Sequence, residues 1–290
     1  MTYELFLGDR AYSSWSLRGW LLFERFGIAA NVRFVSFNDG PAAEQMPDFA
    51  PARTVPSARM PNGAIVSDSL AIAEELASRH PDAGHWPADP TARATARSMA
   101  AEMHSGFGEL REDCPMNLRC AYTGFGASAG VLNDLRRLET LWDHARDVCK
   151  PAGPWLCGEY SAVDAFFAPV AARIAGYGLA VSASAQAYTD AHLADPAFRR
   201  WRAMALVQGD DVARYARDYD QRTWPGPAPL AAMPVANGPS GNAACPYSGR
   251  PVTDFLELDG RVFGFCNGFC RDKTVADAGA WPEFMEIYDS

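Results

Sequence analysis

The sequence predicts an α/β domain, then an all-α domain, then a small cysteine-rich module built on a β-hairpin. Three observations predict this order: strand and helix patterns alternate through residues 1–80, helical periodicity dominates residues 91–222, and three of the seven cysteines fall within residues 245–290. Residues 81–90 and 223–244 are rich in proline and lack either periodicity, so we expect them to be linkers.

The composition is that of a globular chain and excludes two classes of partner. The 290 residues are 48% hydrophobic and carry a formal net charge of −9. Sequence-independent nucleic-acid binding needs a basic face, so we expect no nucleic-acid partner. We identify no export signal and no apolar run of membrane-spanning length, and therefore expect a cytoplasmic protein without a membrane partner.

The first domain opens with a strand, a serine-rich turn and a helix. Tyr3 to Leu7 is an apolar run typical of a buried strand, and the helical pattern that follows continues to Gly27. Ser13, Ser14 and Ser16 therefore fall at a helix N-terminus, where free backbone N–H groups and the helix dipole favour an anion such as a thiolate. The alternative is that these serines only cap the helix.

The rest of the first domain continues this pattern. Residues 31–37 are strand-like, and the Asn-Gly pair at 62–63 separates two short apolar runs, which indicates a hairpin. Thr54-Val55-Pro56 precedes the first of these runs, and Asp68-Ser69 opens a second amphipathic helix. The predicted order is βαβ, a loop and ββα.

This order, with a proline just before the third strand, resembles the thioredoxin-like fold. The SSWSLR turn, the Val-Pro pair and the Asp-Ser pair together resemble the N-terminal domain of the glutathione transferase superfamily, and the turn is most similar to the zeta class, which includes maleylacetoacetate isomerases. The resemblance implies glutathione as co-substrate, a small electrophile as second substrate, a helical C-terminal domain and a homodimer.

The resemblance also implies which serine acts. A serine hydroxyl is too weak an acid to be the base, so its role would be to donate a hydrogen bond to the glutathione thiolate. By matching with the family, Ser13 is the expected donor and Ser14 the second choice. Ser16 falls where a redox relative would have its second cysteine, so dithiol exchange is excluded at this turn.

Four further residues are implied in glutathione binding. The family holds the proline after Val55 in cis, which turns the Val55 backbone toward the cysteinyl amide, so Val55 and Pro56 are expected at the site. Asp68 matches the family's partner for the γ-glutamyl ammonium, and Ser69 with the helix N-terminus matches the partner for the carboxylate. Helix capping is the alternative for both.

The second-substrate site is predicted from weaker signals. Trp15, Met103, His104 and Phe107 are expected to line an apolar pocket, because the first helix of the second domain borders that pocket in the family. Arg18 is expected to attract an anionic substrate, as an isomerase of dicarboxylates would require. The alternatives are that the stripe belongs to the core and that Arg18 is structural.

The last 46 residues contain a hairpin pattern, FLELDGRVFGF, and the three clustered cysteines. A hairpin and a short helix rarely suffice for a stable core without metal, disulfides or docking. Cys245, Cys266 and Cys270 are spaced C-x20-C-x3-C, which resembles TRASH and YHS-type modules and implies a zinc or other metal site. Ser248 stands where a second cysteine would complete a CxxC pair.

The fourth ligand at this site stays open. Water, Asp254, Asp272 or a group from the body of the protein could complete it, and a Cys266–Cys270 disulfide is the alternative to any metal. The sequence thus predicts a glutathione transferase, with a non-catalytic glutathione- or metal-binding protein, engaged in metal sensing or trafficking, as the second hypothesis.

Overall fold

The structure is a computed structural model that describes residues 2–290. It contains two compact units, which we call the larger unit (residues 2–193 and 211–225) and the smaller unit (residues 194–210 and 226–290). Within the described residues, no helix combines the length and the apolar character needed to span a bilayer.

The larger unit begins with the predicted thioredoxin-like domain. Its elements are β1 (Tyr3–Leu7), α1 (Ser14–Glu24), β2 (Ala30–Phe34), α2 (Ala42–Gln45), β3 (Ser57–Arg59), β4 (Ile65–Ser67) and α3 (Ser69–Arg79). The strands form one sheet in the order β2-β1-β3-β4, with β1 and β2 parallel and the other pairs antiparallel. The βαβ and ββα halves are therefore confirmed.

The core explains why these residues form these elements. Leu5 and Leu7 of β1 have no exposed surface, and neither have Leu17 and Leu22 of α1. Helix α1 thus buries its apolar face on the sheet while its N-terminus stays at the end of β1. This placement fixes the position of the serine turn.

The helical region of the larger unit follows the first domain. Its elements are α4 (Pro90–Ser105), α5 (Gly108–Asp113), β5 (Ala121–Tyr122), α6 (Ala129–Cys149), α7 (Ala162–Tyr177) and α8 (Ala183–Ala194), with β6 (Gln221–Arg222) pairing to β5. Every residue of α7 is buried, and this helix packs against both α1 and α4. The predicted combination of an α/β domain with a helical domain is confirmed.

The smaller unit is larger than the predicted hairpin module. It contains α9 (Pro196–Val207), β7 (Met233–Val235), β8 (Asp254–Leu258), β9 (Arg261–Phe265), α10 (Gly268–Ala276) and α11 (Pro282–Tyr288). Its sheet has the order β7-β8-β9, all antiparallel. Two elements outside residues 245–290, α9 and β7, belong to it.

Helix α9 supplies much of the core that a hairpin alone would lack. It packs on α10, and Arg199 of α9 forms a bidentate ion pair with Asp277, with Nε–Oδ2 and Nη2–Oδ1 distances of 2.9 and 2.6 Å. Phe263, Phe265 and Phe284 of the same unit are also buried. The unit therefore has an apolar core of its own, and small size is not by itself an argument for a metal.

Candidate functional site

The serine turn, residues 13–16, is held by a local hydrogen-bond network. Ser13 is the N-cap of α1: its Oγ accepts from the Ser16 amide at 3.2 Å and donates to Ser16 Oγ at 2.7 Å. Ser16 Oγ in turn accepts from the Gly8 amide at 2.7 Å. The Ser13 hydroxyl proton and the acceptor sites of both Ser13 Oγ and Ser16 Oγ are thus engaged in shaping the turn.

Ser14 is arranged differently. It is the first residue of α1 and is 7% exposed, and its Oγ accepts a hydrogen bond from Nη2 of Arg173 at 3.4 Å. Among residues 2–290 no acceptor takes the Ser14 hydroxyl proton. That proton is available to a ligand at the N-terminus of the helix.

Arg173 reaches this turn from the buried helix α7. Its Nε donates to Cys114 O at 2.9 Å and its Nη1 to Pro169 O at 3.1 Å, which fixes the guanidinium plane. Burial, and next the positive charge of Arg111, lower the pKa of Arg173 to about 10, so the group stays protonated at neutral pH. The positively charged guanidinium of Arg173 is therefore held next to Ser14.

A cavity of about 460 Å³ opens in front of the serine turn. Its lining combines the turn with residues from the loop before β3, from α5, from α7 and from residues 213–215. The lining residues are Tyr12, Ser13, Ser14, Trp15, Phe37, Gly40, Pro41, Ala42, Arg53, Thr54, Val55, Arg111, Pro115, Met116, Arg173, Arg214 and Tyr215. Four of these are arginines and none is acidic, so the cavity favours anions.

The Val-Pro and Asp-Ser pairs meet at one point of the fold. The Val55–Pro56 peptide bond is cis, and the Asp68 amide donates to Pro56 O at 3.3 Å. Val55 lines the cavity, whereas Pro56, Asp68 and Ser69 are not among its lining residues. The four predicted glutathione-binding residues are therefore close together, next to the serine turn.

Asp68 has a backbone conformation that L-residues rarely adopt, with φ 83°. Such positions cost about 1–3 kcal/mol and are concentrated at functional sites. Its Oδ1 caps α3 by accepting from the Leu70 amide at 2.8 Å, and its Oδ2 lies 3.2 Å from Nε2 of His104. The neighbouring Ser69 has no exposed surface, and its Oγ has no hydrogen-bond partner among the described residues.

One residue of this site was missed by the sequence analysis. Gly19 of α1 faces Pro56, and a Cβ at position 19 would lie 2.5 Å from Pro56 Cβ. Only glycine lets the helix approach the cis proline this closely. A glycine within an otherwise apolar helix was the available signal.

The predicted second-substrate residues are only partly at the cavity. Trp15 lines it, but Met103, His104 and Phe107 do not. Met103 and Phe107 are buried, and the His104 ring packs 5.1 Å from the Trp15 ring. These three therefore support the cavity wall instead of forming its surface.

Arg18 requires a correction. It has no exposed surface, its Nε donates to Phe166 O at 3.1 Å, and its guanidinium lies 4.6 Å from the Trp15 ring centroid. Because its Nε is engaged by Phe166 O and its guanidinium faces the Trp15 ring, we assign Arg18 a structural role. The arginines that do line the cavity come from scattered parts of the chain, which is why no motif revealed them.

The three cysteines of the tail converge in the smaller unit. The Sγ atoms of Cys245, Cys266 and Cys270 all lie within 4.8 Å of one another, and we call them the cysteine cluster. Cys245 is 2% exposed and the other two are half-buried. The sulfur atoms of Cys266 and Cys270 are 3.9 Å apart and are not bonded.

Hydrogen bonds to sulfur activate one member of the cluster. Burial raises the pKa of the Cys245 thiol, but hydrogen bonds from the Cys266 and Tyr247 amides and from the Ser248 and Cys266 side chains outweigh burial and lower it to about 7. Burial raises the pKa of Cys270 to about 12. Cys245 therefore becomes a thiolate at lower pH than Cys270.

The predicted carboxylate ligands are not part of the cluster. Asp254 Oδ1 lies 3.4 Å from Nη1 of Arg271, and Asp272 Oδ1 lies 2.7 Å from Nε of the same residue. Within the described residues no carboxylate or imidazole joins the three sulfur atoms within 4.8 Å. The cluster consists of three thiols.

Comparisons with known proteins agree with the fold of the larger unit. Residues 12–79 match the family described as glutathione S-transferase, N-terminal domain. A probable maleylacetoacetate isomerase from Caenorhabditis elegans is 30% identical over 136 residues, which are 46% of this chain and 62% of that protein. The match thus spans well under the full length of that relative.

Solved structures share the fold at low identity. A glutathione transferase homologue from Burkholderia gl BGR1 with bound glutathione has a TM-score of 0.53 at 22% identity, covering 71% of this chain and 98% of that one. Glutathione transferase Omega 3C from Trametes versicolor has a TM-score of 0.54 at 18% identity, covering 74% and 92%. The family match is confined to residues 12–79, and the solved structures show that most of this chain shares their fold.

Proposed function

We propose that the larger unit binds glutathione and stabilises its thiolate with the Ser14 hydroxyl, for reaction with a small anionic electrophile. The observation that carries this proposal is the pair formed by Ser14, whose hydroxyl proton is uncommitted, and the fixed guanidinium of Arg173 behind it. This assignment prefers the second of the two serines, because Ser13 is already engaged as the helix cap.

The chemistry follows from the geometry. A cysteine thiol has a pKa near ~8.5, so most of a free thiol is protonated at neutral pH. Because Arg173 donates to Ser14 Oγ, the lone pair on that side is occupied and the hydroxyl proton is directed elsewhere. A sulfur placed at the turn would receive that proton as a hydrogen bond, together with the field of the helix N-terminus, which lowers its pKa.

The other groups would hold the tripeptide. Val55 lines the cavity, and its backbone would pair with the cysteinyl amide. Asp68 would bind the γ-glutamyl ammonium, and the unpartnered Ser69 hydroxyl would bind its carboxylate. Arg53, exposed at the cavity edge, would attract the glycyl carboxylate.

The second substrate would be an anion. Arg111, Arg173 and Arg214 line the cavity, and none of the lining residues is acidic. An electrophile carrying a carboxylate is attracted to such a surface. The printed name of the Caenorhabditis elegans relative, a probable maleylacetoacetate isomerase, is consistent with a small substrate of this kind.

Addition and isomerisation would share a first step. The thiolate attacks the β-carbon of an activated alkene, a C–S bond forms, and the electron pair of the C=C bond moves to the carbonyl oxygen as an enolate. Protonation of the α-carbon completes an addition. Rotation about the former double bond and expulsion of the thiolate regenerate glutathione and complete an isomerisation.

The test compares a carboxylate-bearing enone with its methyl ester in the wild type, in Arg214→Ala and in Arg136→Ala, an exposed arginine of α6 outside the cavity. We expect the wild type to prefer the acid. Arg214→Ala should raise KM for the acid by roughly tenfold, the value of one charged contact, and leave KM for the ester and for glutathione unchanged. Equal turnover of acid and ester by the wild type would contradict the anionic substrate class.

The cysteine cluster supports a second candidate function, metal binding by the smaller unit. Three thiols that converge within 4.8 Å, one of them with a lowered pKa, form a donor set suited to zinc or copper(I). The residues would hold the ion through their three sulfur atoms. Metal analysis of the reduced full chain after loading with either ion should find about one equivalent per chain, and loading of neither ion would contradict the site.

A further inference from the structure

The position of Ser248 bears on which ion the cluster would take. Residues 245–249 form a tight turn closed by a hydrogen bond from the Gly249 amide to Cys245 O at 2.9 Å, with φ 67° at Gly249. Ser248 projects from this turn onto the cluster, where its Oγ donates to Cys266 Sγ at 3.2 Å. Ser248 therefore lies beside Cys266 and in the same turn as Cys245.

Among residues 2–290, no histidine or carboxylate joins the cluster as a fourth ligand. All five histidines, at positions 80, 85, 104, 144 and 192, belong to the larger unit. Asp254 and Asp272 are paired with Arg271. Asn267 Nδ2 donates to Cys266 Sγ at 3.3 Å, so its amide acts as a donor to sulfur. The ligands within the described part of the smaller unit are three sulfurs and one neutral hydroxyl.

This ligand set distinguishes two ions. Structural zinc sites are almost always tetrahedral, with every ligand a thiolate, an imidazole or a carboxylate. Copper(I) is softer and accepts trigonal coordination by thiolates alone. We infer that Ser248, by placing a hydroxyl where a fourth thiolate would stand, makes the cysteine cluster a trigonal site that prefers copper(I) to zinc. This inference rests on the proposed metal site and adds its selectivity.

A buried cation next to the cluster agrees with this preference. Lys273, one turn after Cys270, is 8% exposed, and its Nζ lies 3.6 Å from the Tyr247 ring centroid and 3.7 Å from that of Trp281. Three thiolates around a monovalent ion keep more negative charge than three thiolates around zinc. A nearby fixed cation offsets that excess charge.

The test uses the reduced full chain as wild type, Ser248→Cys, Ser248→Ala and Ser290→Cys. Ser290, whose hydroxyl donates to Ile287 O, adds a thiol away from the cluster contacts and is the matched control. Copper(I) and zinc affinities are measured by competition with a chromophoric chelator for each ion. Cobalt(II) spectra report whether the site is tetrahedral.

We expect the wild type to bind one copper(I), with a thiolate-to-copper charge-transfer band, and to yield zinc to its chelator. Ser248→Cys should raise zinc affinity by more than about 100-fold, beyond what an outer-shell change produces, and give a tetrahedral cobalt spectrum. Ser248→Ala and Ser290→Cys should bind both ions as the wild type does.

Two different results would overturn the inference. Zinc bound by the wild type as tightly as by Ser248→Cys, with a tetrahedral cobalt spectrum, would show that Ser248 does not set the preference while leaving the metal site in place. Binding of neither ion by the wild type, with circular dichroism showing a folded chain, would remove the metal site itself.

Discussion

The serine turn and the cysteine cluster are two different arrangements for stabilising a negatively charged sulfur. At the turn the protein supplies donors, namely the Ser14 hydroxyl, Arg173 and a helix N-terminus, and the sulfur would come with glutathione. At the cluster the protein supplies three sulfurs, and the donors are two backbone amides and Ser248.

The two sites differ in which parts of the chain supply their residues. The turn is completed by groups distant in sequence, such as Arg173 on α7 and Val55 before β3. The cluster is completed by residues 245–270 alone. The first site therefore depends on the packing of the larger unit, whereas the second depends on local turns, and variants should separate the two.

The largest expected effect is that of Cys245→Ser. This change removes the thiol whose pKa is lowered to about 7, and two thiols with a hydroxyl are a much weaker donor set, so ion binding should fall from about one equivalent to none. Glutathione affinity, measured by calorimetry, should equal that of the wild type. Cys149→Ser, a thiol of the larger unit, is the control and should change neither quantity.

Gly19→Ala should have the opposite pattern of effects to Cys245→Ser, since it alters the larger unit and leaves the cysteine cluster unchanged. The added Cβ would lie 2.5 Å from Pro56, so either α1 or the Val55–Pro56 segment must move. Overpacking costs about 1–3 kcal/mol, and we expect glutathione affinity to fall by up to roughly 100-fold while ion binding is retained. Gly108→Ala, where an added Cβ meets no atom within 4 Å, should bind glutathione normally.

Acid should affect the larger unit through His192. Burial, and next Arg25, lower the pKa of this histidine to about 3, below the ~6.5 of an unfolded chain. The unfolded state therefore binds an extra proton as pH falls below ~6.5, and stability is lost in that direction, by about 2 kcal/mol between pH 7 and pH 5.

Denaturant unfolding at the two pH values measures this loss. His192→Gln should lack it, whereas His144→Gln, a change at an exposed histidine of α6, should keep it. An identical pH dependence in the wild type and His192→Gln would contradict the assignment. The smaller unit has no histidine and no such contribution.

The smallest expected effect is that of Asp68→Asn. Asparagine caps helices and tolerates positive φ, so stability should change little. The loss of the carboxylate charge should lower glutathione affinity by about tenfold, the value of one charged hydrogen bond. Asp89→Asn, which alters the cap of α4 in the same way, should bind glutathione like the wild type, and equal losses in both would contradict a ligand role for Asp68.

The sequence predicted the strands and helices better than it predicted the residues that line the cavity. The strand, turn and helix around Ser13, the hairpin at Asn62 and the helix at Ser69 were all readable, because each depends on local periodicity and capping. Arg111, Arg173 and Arg214 reach the cavity only through helix packing, so spacing along the chain did not reveal them. Arg18 is one turn into α1 and was misassigned because helix phase alone did not show that it faces Phe166.

Prediction from the sequence had the same limit in the smaller unit. The convergence of three cysteines was predicted from their spacing, and the structure brings them within 4.8 Å. The contribution of α9 to the core beneath them was not predicted, since α9 precedes the module by about forty residues and has an ordinary amphipathic pattern.

The most direct test of the central claim is the thiolate pKa of bound glutathione, followed by ultraviolet absorbance as a function of pH. We expect the pKa to be lowest in the wild type and to rise by about one unit in Ser14→Ala, the value of one lost hydrogen bond to a charged sulfur. Ser13→Ala should shift it less and mainly lower stability. The same pKa in the wild type and Ser14→Ala would contradict the account.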